Sequence, residues 1–172
     1  LIGSYWPLKP LKESIFINMV GSASLRDMKV VSVVAAVLFV LLYTKLVDFF
    51  SKQKLVYAFV LFYAFFGGVF FILLSDPVSG VANTVASSDR YLAWAFYLFA
   101  ESYLTIMVAL YWSFINDITT SAVAKKGYAM IIFGSQFGGL VFSFIGDHLM
   151  SDPSAYVTRA PLIVAISSAM FL

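Results

Sequence analysis

The sequence predicts an all-α membrane protein, a multi-span helical bundle forming one unit over residues 1–172. Three observations carry that expectation. Of the 172 residues, 62% are hydrophobic and 12% charged, whereas a soluble domain has roughly half apolar and a quarter charged residues. Mean hydropathy is +0.93. The apolar residues also gather into runs close to the roughly 20 residues that a bilayer crossing needs, with polar stretches between them.

Residues 1–20 open the chain as the end of a broken first helix. Pro7 and Pro10 remove two amide donors and disfavour α geometry just before them, and Lys9, Lys12 and Glu13 follow within a few positions. Two readings fit: a charged loop leading into a short amphipathic helix, or an interrupted membrane helix whose charges line a cavity. Gly21 to Lys29 is a polar connection. The second span is 28–46, rich in Val, Leu and Ala, with Lys45 able to snorkel at its end. Asp48 to Lys54 is a turn. The third span is 55–74, with Gly67-Gly68 near its middle permitting close helix contact or a slight bend. Ser75 to Arg90 is the longest polar segment, an extramembrane loop.

The fourth span, 92–117, is the most informative. It carries Glu101 inside an apolar run, where an ionised group costs roughly 2.5–3.5 kcal/mol on insertion scales. Such a group must face protein or water. At 100° per residue, Trp94, Tyr97, Glu101, Thr105, Val108 and Trp112 share one face, with Asn116 about 60° away. That face suits a polar, partly aromatic solute. The bland reading makes the two tryptophans, about 27 Å apart along the axis, interfacial belt residues, and makes Glu101 one half of an ion pair joining two helices.

The fifth span is 127–149. Ser135, Gly139 and Ser143 recur every four residues, as do Gly134 and Gly138, a spacing that lets helices pack closely. Gln136 is an amide in mid-span and needs a partner or a wet face. Residues 150–160 form a second polar loop, and 160–172 begin a truncated last span. The chain starts at Leu1 and ends within an apolar run; it is expected to be a fragment. Lysines and arginines in the connections divide five to four, which favours the turns after the second and fourth spans as cytoplasmic.

Composition excludes some chemistry. With zero cysteines there are no disulfides or thiolate metal sites, and His148 alone cannot build a histidine metal site. No G-x-x-x-x-G-K-[ST] loop occurs, so hydrolysis is not expected. The chain is read as no enzyme, with no cofactor and no nucleic-acid partner. Its surroundings are the lipid bilayer.

Three places resemble the ATP/ADP translocase family of plastids and obligate intracellular bacteria. Leu8-Lys9-Pro10-Leu11-Lys12-Glu13 is similar to the family's L-R-x-x-K-D in its first helix, with Lys9 for arginine and Glu13 for aspartate. Val37 to Phe50 looks like the second helix and its turn. Ala100-Glu101, Tyr111 to Thr119 and Ala124-Lys125-Lys126 resemble the A-E, F-W-x-F-A-N-x-I-T and A-K-R of the fourth helix and its exit. Lys126 stands where arginine is usual, and Gly127 replaces an aromatic.

The resemblance implies about twelve spans in a major-facilitator-like arrangement, of which this chain is part of the N-terminal half; the missing C-terminal half is then its partner. It implies exchange of nucleotides, most simply ATP for ADP, by alternating access, in a bacterial inner membrane or plastid inner envelope. Family members move ATP and ADP, other nucleotides or NAD. Lys12 and Glu101 occupy positions implicated in transport. Lys9 and Lys12 are therefore the candidate phosphate-binding cations, and Glu13 and Glu101 the coupling or ion-pair acids. Tyr97, Thr105, Asn116 and Gln136 are candidate cavity-lining residues, with Tyr97 or Tyr103 able to stack on a base. Two other readings remain open: a proton-coupled symporter for another organic solute, with Glu101 as proton carrier, and a non-transporting scaffold in which Lys12–Glu101 is a structural pair.

Overall fold

The computed structural model describes residues 2–150 and 153–169. Six helices follow one another: α1 (Ile2–Met19), α2 (Leu25–Phe49), α3 (Lys52–Ser75), α4 (Tyr91–Ile118), α5 (Ser121–Met150) and α6 (Pro153–Ala169). Among the described residues, α2, α3 and most of α4 are long and apolar enough to cross a membrane. The chain is a helical, integral membrane protein.

The helices outrun the apolar segments that announce them. Hydropathy registers what dissolves in lipid, whereas backbone hydrogen bonding carries a helix on into water. Hence α2 absorbs Arg26, Asp27 and Lys29 of the expected connection, and only Phe50 and Ser51 separate it from α3. Asp27 in its first turn suits the positive helix end. The polar stretch expected as a loop over 150–160 is largely the start of α6, which opens at Pro153, a residue whose missing N–H costs nothing at that position. Helix α1 is also continuous through Pro7 and Pro10. It stops at Gly21, whose φ of 105° and amide bond to the Ile17 carbonyl at 3.0 Å make a glycine helix stop.

Lipid is as apolar as leucine, so helix cohesion in a membrane comes from close packing and interhelical hydrogen bonds. Helix α4 is the hub, packing on α1, α2 and α3, while α1 packs on α4, α5 and α6, and α3 packs on α6. Exchanging the first three helices for the last three, in order, turns the α1–α5 contact into α4–α2 and α1–α6 into α4–α3. It leaves α1–α4 and α3–α6 in place. The bundle is therefore two helix triplets in related arrangements. Helix α2 shows the opposite face of the architecture: Met28 and Ser32 are buried while Val30, Val33, Val37 and Leu41 lie open.

The small-residue signals divide. A Cβ on Gly67 would overlap the Ser168 hydroxyl of α6, so this glycine sets the α3–α6 approach; Gly68 beside it meets nothing. Gly134 and Gly138 of α5 also face open space, so the stripe expected to seat a neighbouring helix does not do so there. The side chains of Lys125, Lys126, Ser143 and His148 lie outside the described residues.

The connection between α3 and α4 is a built structure. The Arg90 guanidinium donates to the Asn83 carbonyl at 2.7 Å, the Ser79 carbonyl at 2.9 Å and the Gly80 carbonyl. Partial burial of that guanidinium lowers its pKa. Asp76 accepts from the Ser79 hydroxyl and amide, both at 2.7 Å, and from the Val78 amide at 3.2 Å. The loop is tied to α1 by the Ser87 amide on the Met19 carbonyl at 3.1 Å. Trp94, read from sequence as a belt residue, donates its indole N–H to the Ser88 carbonyl at 3.2 Å.

Candidate functional site

Helix phase and burial together place Lys12 in the protein interior. Leu8, Lys12 and Phe16 stand four residues apart, on one face of α1, and that face is sealed: Leu8 and Phe16 are at most 1% exposed and Lys12 is 6% exposed. The face opposite, on α4, carries Tyr97, Glu101 and Thr105 at the same spacing. Where the two meet, the Lys12 ammonium donates to Glu101 Oε2. The Lys12 side chain retains 8% exposure and Glu101 23%.

The pair has a third member. Lys12 Nζ sits 4.5 Å from the centroid of the Tyr97 ring, whose negative π-face attracts a cation. The Phe16 ring meets Tyr97 edge-on at 5.6 Å and Trp94 edge-on at 5.1 Å. These contacts hold the tyrosine under the lysine. Charges withdrawn from water carry a desolvation cost of several kcal/mol each, offset only by good geometry and further partners. Lys12 therefore has one anion and one aromatic face, and losing either leaves a buried cation short of compensation.

Of the other residues singled out in the sequence, Glu13 pairs with Lys29 of α2 at 3.5 Å, in a partly exposed bridge. Lys9 is exposed one turn before Glu13. Thr105 is half-buried one turn beyond Glu101. Asn116 lies about 22 Å from Glu101 along α4; it is exposed and accepts from the Tyr128 hydroxyl of α5. Gln136 is exposed on α5. Tyr97 and Tyr103 are buried, at 2% and 1% exposure, so neither offers a free ring face to a base in this arrangement. The rings already pack on Phe16 and on Tyr63.

Sequence reasoning missed three contacts. The Tyr63 hydroxyl of α3 donates to Ser102 Oγ at 3.1 Å, and that hydroxyl donates to the Phe99 carbonyl at 2.7 Å. Ser102 is next to Glu101, but 100° around the helix it serves a different neighbour. Lys52 at the start of α3 pairs with Asp117 at the end of α4 at 2.7 Å. The Glu13–Lys29 bridge is the third. A signal existed for it: two opposite charges each within a few residues of the α1–α2 turn.

An interhelical lysine–glutamate pair in mid-bundle can answer an arriving anion, because the anion competes with the glutamate for the same ammonium. Comparison with known proteins identifies the family. Residues 2–167 match the family described as TLC ATP/ADP transporter. The plastidic ATP/ADP-transporter of Solanum tuberosum is 32% identical, over 83% of this chain and 26% of its own length. The ADP,ATP carrier protein 1 of Chlamydia muridarum is 30% identical, over 80% of this chain and 30% of its own. The ADP,ATP carrier protein 4 of Rickettsia typhi is 30% identical, over 86% and 32%. The chain thus spans about a quarter to a third of the length of these relatives. No solved structure matches it.

Proposed function

Since the chain belongs to the TLC ATP/ADP transporter family, a family of transporters rather than enzymes, we propose that its parent protein exchanges ATP for ADP across a membrane. The exchange proceeds by alternating access and without hydrolysis, in a bacterial cell membrane or a plastid envelope. The observation that carries this reading is the buried Lys12–Glu101 pair at the α1–α4 seam.

With no nucleotide bound, Glu101 neutralises Lys12 and the pair clamps α1 to α4. A polyphosphate brings several negative charges to a lysine that acts as a compact point charge. It competes for the ammonium and repels the Glu101 carboxylate, and Lys9, exposed one turn earlier, adds a second cation. The clamp opens only while phosphate replaces the carboxylate. An empty carrier is then held by its own ion pair, and each crossing in one direction needs a nucleotide for the return. Exchange follows from the electrostatics of one pair.

The test is counter-exchange of labelled ATP against internal ADP in vesicles containing the full-length transporter. Lys12→Ala and Glu101→Gln should each abolish it, and unloaded vesicles should take up almost nothing. Exchange at the wild-type rate in both variants would overturn the assignment. Uptake into unloaded vesicles driven by a proton gradient would replace it with symport.

A further inference from the structure

A second group of charges lies beside the first and has no part in the α1–α4 clamp. At the α1–α2 hairpin, a groove of about 550 Å3 is lined by Ser22, Leu25, Arg26, Lys29, Val30 and Val33. These positions recur at three- and four-residue spacing, so they form one face of α2 and the turn before it. The groove is shallow and open to its surroundings. Two of its six lining side chains are cations, and its resident counter-ion comes from another helix. Lys29 Nζ lies 3.5 Å from Glu13 Oε1, with the two side chains 55% and 41% exposed.

We propose that Arg26 and Lys29 form a reception site for the phosphates of the incoming nucleotide, upstream of Lys12 and distinct from it. The proposal rests on the nucleotide-exchange reading and names a station on that path. Three features support it. The Glu13–Lys29 bridge is partly exposed and long, and such bridges contribute little, so a polyanion displaces the carboxylate readily. Arg26 is exposed on the same groove and offers a planar fork of donors that matches phosphate oxygens. Glu13 is the chain neighbour of Lys12, so a phosphate on Lys29 that dislodges Glu13 already stands beside the backbone carrying the buried lysine. Asp27, the acid nearest in sequence, is not among the groove-lining residues.

The two pairs then differ by design. One is exposed and easily exchanged, at the mouth; the other is buried and strongly held, within the bundle. Phosphate recognition is stepwise, with Glu13 yielding before Glu101. The same cations beside Val30 and Val33 also suit a phospholipid headgroup, and the experiment separates the two sources.

Full-length transporter in phosphatidylcholine vesicles provides the assay, with Arg26→Gln, Lys29→Gln and the double variant measured for ATP and ADP exchange across ionic strength. The double variant should raise KM for ATP by about tenfold and flatten its salt dependence, with a smaller change in kcat. ADP, with less charge, should be affected less, and Lys29→Arg should restore most of the loss. Glu13→Gln should lower KM, because it frees Lys29. Unchanged KM and salt dependence in a double variant that is as thermally stable as wild type overturns the site while leaving the exchange reading intact. A difference that appears only when phosphatidylglycerol is added overturns it in favour of a lipid headgroup. A wild-type protein that exchanges no nucleotide overturns both readings.

Discussion

Lys12 and Glu101 lie 89 residues apart in the chain and share a hydrogen bond between α1 and α4. Each explains the other: neither charge has a reason to be in an apolar bundle without its partner. Glu101→Gln removes the anion and keeps the shape. Breaking a buried pair on one side costs 3–5 kcal/mol, and the residual exposure of Glu101 puts the expected loss at about 3 kcal/mol. Denaturant or thermal unfolding in detergent measures it. The double swap Lys12→Glu with Glu101→Lys should recover most of the stability and none of the exchange. Full exchange by the swapped protein would mean that the pair is only a strut.

Tyr97 is expected to matter through its ring and not its hydroxyl. Tyr97→Phe keeps the face beneath Lys12 and should match wild type in stability. Tyr97→Leu loses the cation–π contact and should cost about 0.5–2 kcal/mol beyond the loss of packing. A double-mutant cycle with Lys12→Met isolates that share. A coupling energy near zero would show that the 4.5 Å contact carries no weight.

At the α3–α6 seam, adjacent glycines should behave oppositely. Gly67→Ala forces a methyl against Ser168 and should destabilise by roughly 1–3 kcal/mol. Gly68→Ala meets nothing and should be neutral or stabilising by up to about 1 kcal/mol, the helix-propensity gain. Adding Ser168→Gly to Gly67→Ala should relieve the clash. Equal melting temperatures for the two alanine variants would remove Gly67 from its role.

The α3–α4 loop should respond to acid in a defined direction. The Ser79 hydroxyl, then the Ser79 amide, hold the Asp76 carboxyl below its ordinary pKa. A depressed carboxylate pKa contributes order that is fully present above the unfolded value and is lost as pH falls through the folded one. The amide resonances of Val78 and Ser79 should therefore move only on acidification below the ordinary aspartate range. In Asp76→Asn that transition should be absent. A midpoint at or above the ordinary value would contradict the hydrogen-bonded loop.

Much of the fold was legible because lipid imposes a simple demand. Leu55 to Leu74 and Leu92 to Ile115 are long enough apolar runs to cross a bilayer, and Met28 to Tyr43 comes close to that length. The helix ends were less legible, since Arg26, Lys29 and Lys52 are as compatible with a helix standing in water as with a loop. At the site, an acid within an apolar helix announced the need for a cation, and the family resemblance drew attention to Lys9 and Lys12. The choice between them depended on how α1 is rotated, which Leu8 and Phe16 decide by being buried on the same face as Lys12. Small residues divided because spacing says where a helix can be approached and not whether a neighbour is there: Gly67 meets α6, while Gly134 and Gly138 face open space and Gly139 is buried. Tyr63–Ser102 was hidden because its two hydroxyl-bearing residues are among the least conspicuous in the sequence.

The 89-residue gap between Lys12 and Glu101 also has a history in time. At roughly 5–20 residues per second of synthesis, α4 emerges on the order of 5–20 seconds after α1. Throughout that interval Lys12 lacks Glu101, the carboxylate it pairs with in the folded bundle. Lys12 must be kept near water, or against the insertion machinery, until the fourth helix arrives. The pairing that neutralises the Lys12 ammonium is thus completed by a residue made long afterwards.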